Sequence, residues 1–349
     1  MKKIFILFVL SVGLLTAIFA QADKRTRETK IADIVKQLPA KNSTSFNQLM
    51  GELIMLDDVI ADLTPRLSDP GGNDAQIRYA ISGLAMYASK DESRKKLVEK
   101  SINDAIHNAK SDEIRDFLFI QLQYVAGDES EETAAQYLDN PRLADAAARV
   151  LVRIGFVPMF NGKDMSGWTG NLKDYIPRDG AIVCDPKHGG YGNLYTEKQY
   201  SDFIMRFEFK LTPGANNGIG IRTPLEGDAA YVGMELQVLD NEDPIYKDLK
   251  DYQYHGSVYG VIAAKRGYLK PTGEWNTQEI IADGYRIKIT LNGTVILDGD
   301  ISEASKNFTE TIDGRKHPGL SNKSGHIAFL GHGSEVAFRN LRIKELNTE

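Results

Sequence analysis

The sequence predicts two parts in series, an all-α, HEAT-like N-terminal half and an all-β sandwich. Three observations predict it. Apolar residues recur at helical spacing from about residue 27 to 155. From Val157 onward the period shortens to two, the repeat of a strand with one buried face. Glycine-containing turn dipeptides then separate the strand-like runs, with no long helical stretch between them.

The leading residues read as an export signal. Lys2 and Lys3 precede an apolar run from Ile4 to Ala20, and Ala20-Gln21-Ala22 has the small-x-small pattern of a cleavage site. Residues 1–22 are expected to be a signal peptide, leaving a periplasmic or secreted protein without a stable membrane anchor. The single cysteine, Cys184, has no internal disulfide partner, which suits a chain held together by its core. It lies in the run Ala181-Ile182-Val183-Cys184 and is expected to be a buried strand residue, not a nucleophile. A net charge of −6 without a basic block argues against nucleic acid as a partner.

Residues 23–155 are expected to form the helical half. Ile77, Ala80, Ile81, Leu84 and Tyr87 share one helical face, with Asn73 or Asp74 as the cap. Ser111 precedes a second such helix, in which Ile114, Leu118, Gln121, Leu122 and Val125 align and which Gly127 ends. Asn140 is expected to cap a third, with Pro141 at its first position and Gly155 closing it. Successive short amphipathic helices suggest a solenoid of the HEAT type, with an irregular bundle as the alternative. This half holds no chemical constellation; it reads as a spacer, a docking surface or a lid.

Residues 156–349 are expected to form the sandwich. Phe203, Met205, Phe207 and Phe209 alternate with polar residues. Asp283-Gly284 and Asn292-Gly293 each separate two strand-like runs, so two hairpins in tandem make a meander. The segment from Ser324 to Leu346 adds two further strands joined at Gly331-His332-Gly333-Ser334.

Several ordered motifs in this half carry a resemblance. MFNGKDMSGW, GANNGIGIR, YVGMELQVLD, GSVYGV, KPTGEWN, LNGTVILDG and GHIAFLGHGSEVAFRNLRIKEL follow one another between about 157 and 346. Together they resemble the bacterial family first called DUF1080 and now 3-keto-disaccharide hydrolase, or 3-keto-glucoside 1,2-lyase with 3-keto-2-hydroxy-glucal hydratase. The resemblance implies a concanavalin-like jelly roll and a sugar already oxidised at C3. That ketone acidifies the C2 hydrogen; a base removes it, the C1 oxygen leaves, and water adds to the resulting enone. The chemistry needs a base, a proton donor for the leaving oxygen, and a cationic or hydrogen-bonding group at the C3 enolate. An oxidising enzyme must supply the keto sugar, since this chain shows no dehydrogenase motif.

The candidates for these roles are as follows. Glu235 and Gln237 share a strand face in GMELQVLDNED, and Asp240 joins them only across a bulge. Glu235 or His332 is the expected base, with Asp240 and Tyr259 also near the reaction. Arg222 is expected to hold a sugar oxygen or polarise the ketone; Asn217, His255 and Trp275 are further expected substrate contacts. Metal ligands are not evident. His326 and His332 are six residues apart on one strand run, too far to share an ion, and the acid-rich DNEDPIYKDLKD lacks EF-hand spacing. No cofactor is required by the sequence, and a divalent ion stays open. Two other function classes fit the same residues: a carbohydrate-binding module without catalysis, and a conventional β-glycanase using Glu235 and Asp240 as a carboxylate pair.

Overall fold

The structure, a computed structural model, describes residues 25–68 and 72–346. The expected signal peptide lies outside the described residues. No helix among those described is long and apolar enough to cross a membrane.

The N-terminal half holds eight described helices: α1 Arg27–Val35, α2 Ser43–Ile54, α3 Val59–Leu63, α4 Ala75–Ala88, α5 Glu92–Asn108, α6 Asp112–Val125, α7 Ser130–Ala135 and α8 Ala144–Arg153. Their apolar faces meet in one core, in which Ile81, Leu84, Ile106, Leu118 and Val150 are fully buried. α2, α4, α6 and α8 pack in series, and α3, α5 and α7 form a second series beside them. Caps follow the sequence with two exceptions. Ser111 accepts the Ile114 amide at the start of α6, as expected. Asp74 makes no cap bond to α4; its carboxylate takes the Ser68 amide and the Arg78 guanidinium instead. Asn140 caps a turn, through the Arg142 and Leu143 amides, and α8 begins only at Ala144.

The C-terminal half holds thirteen described strands: β1 Val157–Pro158, β2 Trp168–Gly170, β3 Tyr175–Arg178, β4 Ala181–Cys184, β5 Asn193–Tyr200, β6 Phe203–Leu211, β7 Asn216–Thr223, β8 Met234–Leu239, β9 Trp275–Asp283, β10 Arg286–Leu291, β11 Thr294–Asp300, β12 Gly325–Gly331 and β13 Val336–Glu345. Two single-turn helices, α9 (Ala229–Val232) and α10 (Ile301–Ala304), interrupt them. One sheet runs β11-β10-β9-β6-β13-β4-β3, with β1 also paired to β13; the other runs β2-β5-β12-β7-β8. Every pairing is antiparallel.

The sheets pack face to face over a core that includes Phe203, Phe207, Phe209, Ile219, Leu236, Phe329 and Phe338. Phe329 and Phe338 stack across it with centroids 4.1 Å apart. Consecutive β12 and β13 lie in different sheets, so the turn at His332 carries the chain over one rim of the sandwich. Asn292 and Gly293 both take positive φ, as a type I′ hairpin turn requires. The preceding hairpin pairs Asp283 with Arg286, so its two loop residues are Gly284 and Tyr285, one position later than the dipeptide suggests.

The helical half covers the outer face of the larger sheet. Ile204 of β6 packs into the helical core, and Glu131 of α7 pairs with both Arg206 and Arg342. Arg339 reaches Asp139 at 2.7 Å beside them. The lid reading therefore gives way: the helices sit against the sheet opposite the one that carries the cavity described next.

Candidate active site

The outer face of the smaller sheet is built from residues of one parity: Asn193 and Tyr195 on β5, Ala328 and Leu330 on β12, Gly218 and Gly220 on β7, and Glu235 and Gln237 on β8. α9 lies over part of this face and packs Ala229 on Tyr195, Ala328 and Leu330. Beside α9 the face opens into a cavity of about 310 Å³, walled by the 246–259 segment, by Arg315 and by the His332 turn. Among the described residues, none before Asn193 lines it.

Glu235 forms the floor and is 4 % exposed. Its Oε1 is buried and has no hydrogen-bond partner. The space for it exists because the neighbouring strand β7 has glycine at 218, diagonal to Glu235: a Cβ there would fall 2.2 Å from that oxygen. His332 hangs over the rim, nearly half exposed, with Nε2 3.7 Å from Oε1. Gln237 donates to Asn216 Oδ1 at 2.8 Å, which holds its amide in place beside Glu235. Tyr259 is half-buried; burial raises its hydroxyl above the ordinary tyrosine value, and Gln253 donates to it at 3.0 Å. Glu235, Gln237, Tyr259 and His332 are thus the four sequence candidates that the fold brings together.

The other five stand elsewhere. β8 runs without a bulge, so Asp240 falls just past its end; its carboxylate accepts the Gly214 amide at 2.9 Å and the Glu242 amide at 3.3 Å. Asn217 is on the inner face of β7, fully buried, 3.4 Å from the Tyr175 hydroxyl. Arg222 takes φ +50° and turns its guanidinium inward, where it is 1 % exposed. It donates to Asp202 and to the Ser201 and Gly284 carbonyls, leaving little to offer a sugar. His255 is enclosed between the sheets against Phe209 and Gln278, and burial holds it at about 4, neutral at pH 7. Trp275 lies on the outer face of the larger sheet between Lys210 and Arg339.

Sequence reasoning passed over Asn193, Asn216, Asp228, Tyr231, Gln253 and Arg315, all of which line the cavity. Arg315 stands in an unpatterned loop 80 residues from Glu235, and nothing local marks it. Asn216 was within reach: it shares the parity of Gly218 and Gly220. Among the described residues no three His, Cys, Asp or Glu side chains converge to hold a metal ion. His326 is remote from His332, with Nδ1 at the Thr196 carbonyl. Asp228 is engaged through Oδ1 as the cap of α9.

The C-terminal half is similar to known proteins. A 3-keto-disaccharide hydrolase from Bacteroides thetaiotaomicron is 30% identical over 230 residues, 55% of this chain and 79% of the relative. A crystal structure from Parabacteroides distasonis, titled a "putative glycosyl hydrolase", is 26% identical with a TM-score of 0.49, covering 55% of this chain and 99% of that one. A second from the same organism is 27% identical with the same TM-score and covers 94% of that chain. Residues 155–344 match the 3-keto-alpha-glucoside-1,2-lyase-like domain, more than half of the chain, and the chain belongs to that family.

Proposed function

We propose that this chain is an exported enzyme that cleaves 3-keto-glycosides by proton abstraction at C2, elimination of the C1 oxygen and rehydration. The family and the Bacteroides relative support glycoside cleavage as the general activity. The observation that carries the finer reading is Glu235 Oε1, a buried carboxylate oxygen with no hydrogen bond, on the floor of a sugar-sized cavity. Such an atom costs stability and needs an explanation; a proton-accepting role supplies one.

The reaction would run as follows. Glu235 takes the C2 proton, and the C–H electron pair forms the C2=C3 bond of an enolate. As the C3 carbonyl reforms, the C1=C2 bond forms and the C1–O bond breaks. His332 protonates the departing oxygen. Gln237, Asn216 and Tyr259 hold the ring hydroxyls. Water adds at C1 and passes its proton to His332, Glu235 returns its proton to C2, and the net change is hydrolysis. A separate oxidising enzyme supplies the keto sugar.

A two-carboxylate β-glycanase needs a second acid beside Glu235, and Asp240 is committed to backbone amides at a turn. For the helical half, the two parallel series of helices favour a HEAT-type solenoid, serving as a spacer or docking surface.

The test offers the purified protein a 3-keto-glucoside and its unoxidised parent, with and without EDTA. Aglycone release from the keto compound alone, lost in Glu235→Gln, is expected. Release from the parent would mean an ordinary glycosidase. No release from either, across several linkages, would leave a binding module. Loss of release in EDTA would reveal a divalent ion in the reaction.

A further inference from the structure

The elimination leaves one need unmet by the residues named so far. Negative charge develops on the C3 oxygen, and a group must be waiting for it. Arg222, the cation expected there, is turned into the fold and saturated. The cavity has one guanidinium among its described lining residues, that of Arg315.

We propose that Arg315 is the catalytic cation that receives the C3 enolate oxygen. The inference rests on the elimination reading above. Arg315 is exposed and lines the same cavity as Glu235, on the loop that follows α10. One of its Nη groups donates to the Tyr231 hydroxyl, and no carboxylate pairs with it among the described residues. The remaining N–H groups of the fork are free of protein anions and suited to an oxyanion.

The loop is built to hold this side chain still. Asp313 accepts the Arg315 amide at 2.9 Å through Oδ1 and faces His317 Nε2 at 3.0 Å through Oδ2. Both side chains of that pair are almost wholly buried. Burial opposes ionisation of Asp313, but the Arg315 amide, His317 and Thr311 outweigh it and hold its carboxyl below the usual range. The pair rests on Gly260, next to Tyr259: the Asp313 amide donates to the Gly260 carbonyl, and a Cβ on Gly260 would fall 2.5 Å from Asp313 Oδ2. The His317 ring in turn supports Tyr231, with centroids 4.7 Å apart. Asp313 and His317 are therefore positioning residues. They tie the Arg315 loop to the wall that carries Tyr259, so the cation and the base are set by one framework. An exposed arginine with no such support would lose its preorganisation and most of its effect on an enolate.

The experiment compares the full chain with Arg315→Gln and Arg315→Ala, both at a surface position that leaves the fold intact by thermal unfolding. Cleavage of a 3-keto-glucoside is followed together with deuterium uptake at C2 of 3-keto-glucose in heavy water. The expected result is a fall in kcat of about 10²–10³ with a smaller change in KM, a parallel fall in C2 exchange, and partial rescue of Arg315→Ala by free guanidinium ion that does nothing for Glu235→Gln. Wild-type cleavage with full kcat in both Arg315 variants would overturn the role of Arg315 and leave the elimination intact. A loss confined to KM, with C2 exchange unchanged, would overturn it too, since the residue would then be a binding contact only. Wild-type protein that neither cleaves the keto sugar nor exchanges its C2 proton would defeat the elimination reading, and this inference with it.

Discussion

Glu235 and His255 are both almost fully buried titratable groups, and their surroundings give them opposite characters. His255 has its needs met: Nε2 meets Gln278, Nδ1 accepts the Leu239 amide, and the ring stacks on Phe209. Burial lowers its pKa from 6.5 to about 4. The unfolded chain takes a proton below pH 6.5 while the fold refuses it until about 4, so stability is full above 6.5 and declines as pH falls between the two. Urea unfolding across that window should show the decline, and His255→Gln should flatten it. Glu235 lacks that provision, because Oε1 has no hydrogen-bond partner. Glu235→Gln should therefore lower cleavage about 10²–10⁴-fold while leaving the unfolding temperature unchanged or raised. A variant that lost activity only because it unfolded would contradict the role given to the carboxylate. Residue type and position marked Glu235 and His332 in the sequence. It could not separate them from Arg222 or His255, whose side chains are spent on groups far away along the chain.

Strand parity decides which residues of an element can act. On β8, Glu235 and Gln237 face outward, and the strand ends before Asp240 can join them. On β7, Asn217 faces the core while Gly218, one residue on, faces the cavity. A one-residue difference in a period of two moves a side chain through the sheet. The alternation itself was legible, as Phe203 to Phe209 show. On β7 it was legible as well, since Ile219 and Ile221 share the parity of Asn217 and mark that side as the inner face. Gly218→Ala should push the Glu235 carboxylate from its place. The expected outcome is a loss of kcat approaching that of Glu235→Gln, at a stability cost of about 1–3 kcal/mol from overpacking, read by kinetics and chemical denaturation. Unchanged kinetics would mean that the carboxylate can move without harm.

At the scale of the whole molecule the sandwich has two working outer faces, one closed by helices and one open at the cavity. Glu131 joins the halves by pairing with Arg206 and Arg342, and it is 5 % exposed. Removing it in Glu131→Ala leaves the Arg342 guanidinium without a carboxylate, while Arg206 keeps Glu279, and should cost about 3–5 kcal/mol at the interface. Calorimetry should then resolve the halves as separate transitions, while cleavage below the first transition stays at the wild-type rate, because the cavity lies on the opposite sheet. Parallel loss of activity would show that the helices support the site through the sandwich. The sequence by itself determined the two-part architecture, the tight turn at Asn292-Gly293 and membership of the family, because helical and strand periods, turn chemistry and ordered motifs are properties of neighbours along the chain. Only the tertiary structure decided that Arg222 serves the core, that Arg315 reaches the cavity, and that the helices cover the back. Those outcomes depend on which strands pair, and pairing joins residues tens of positions apart through contacts that no local pattern encodes.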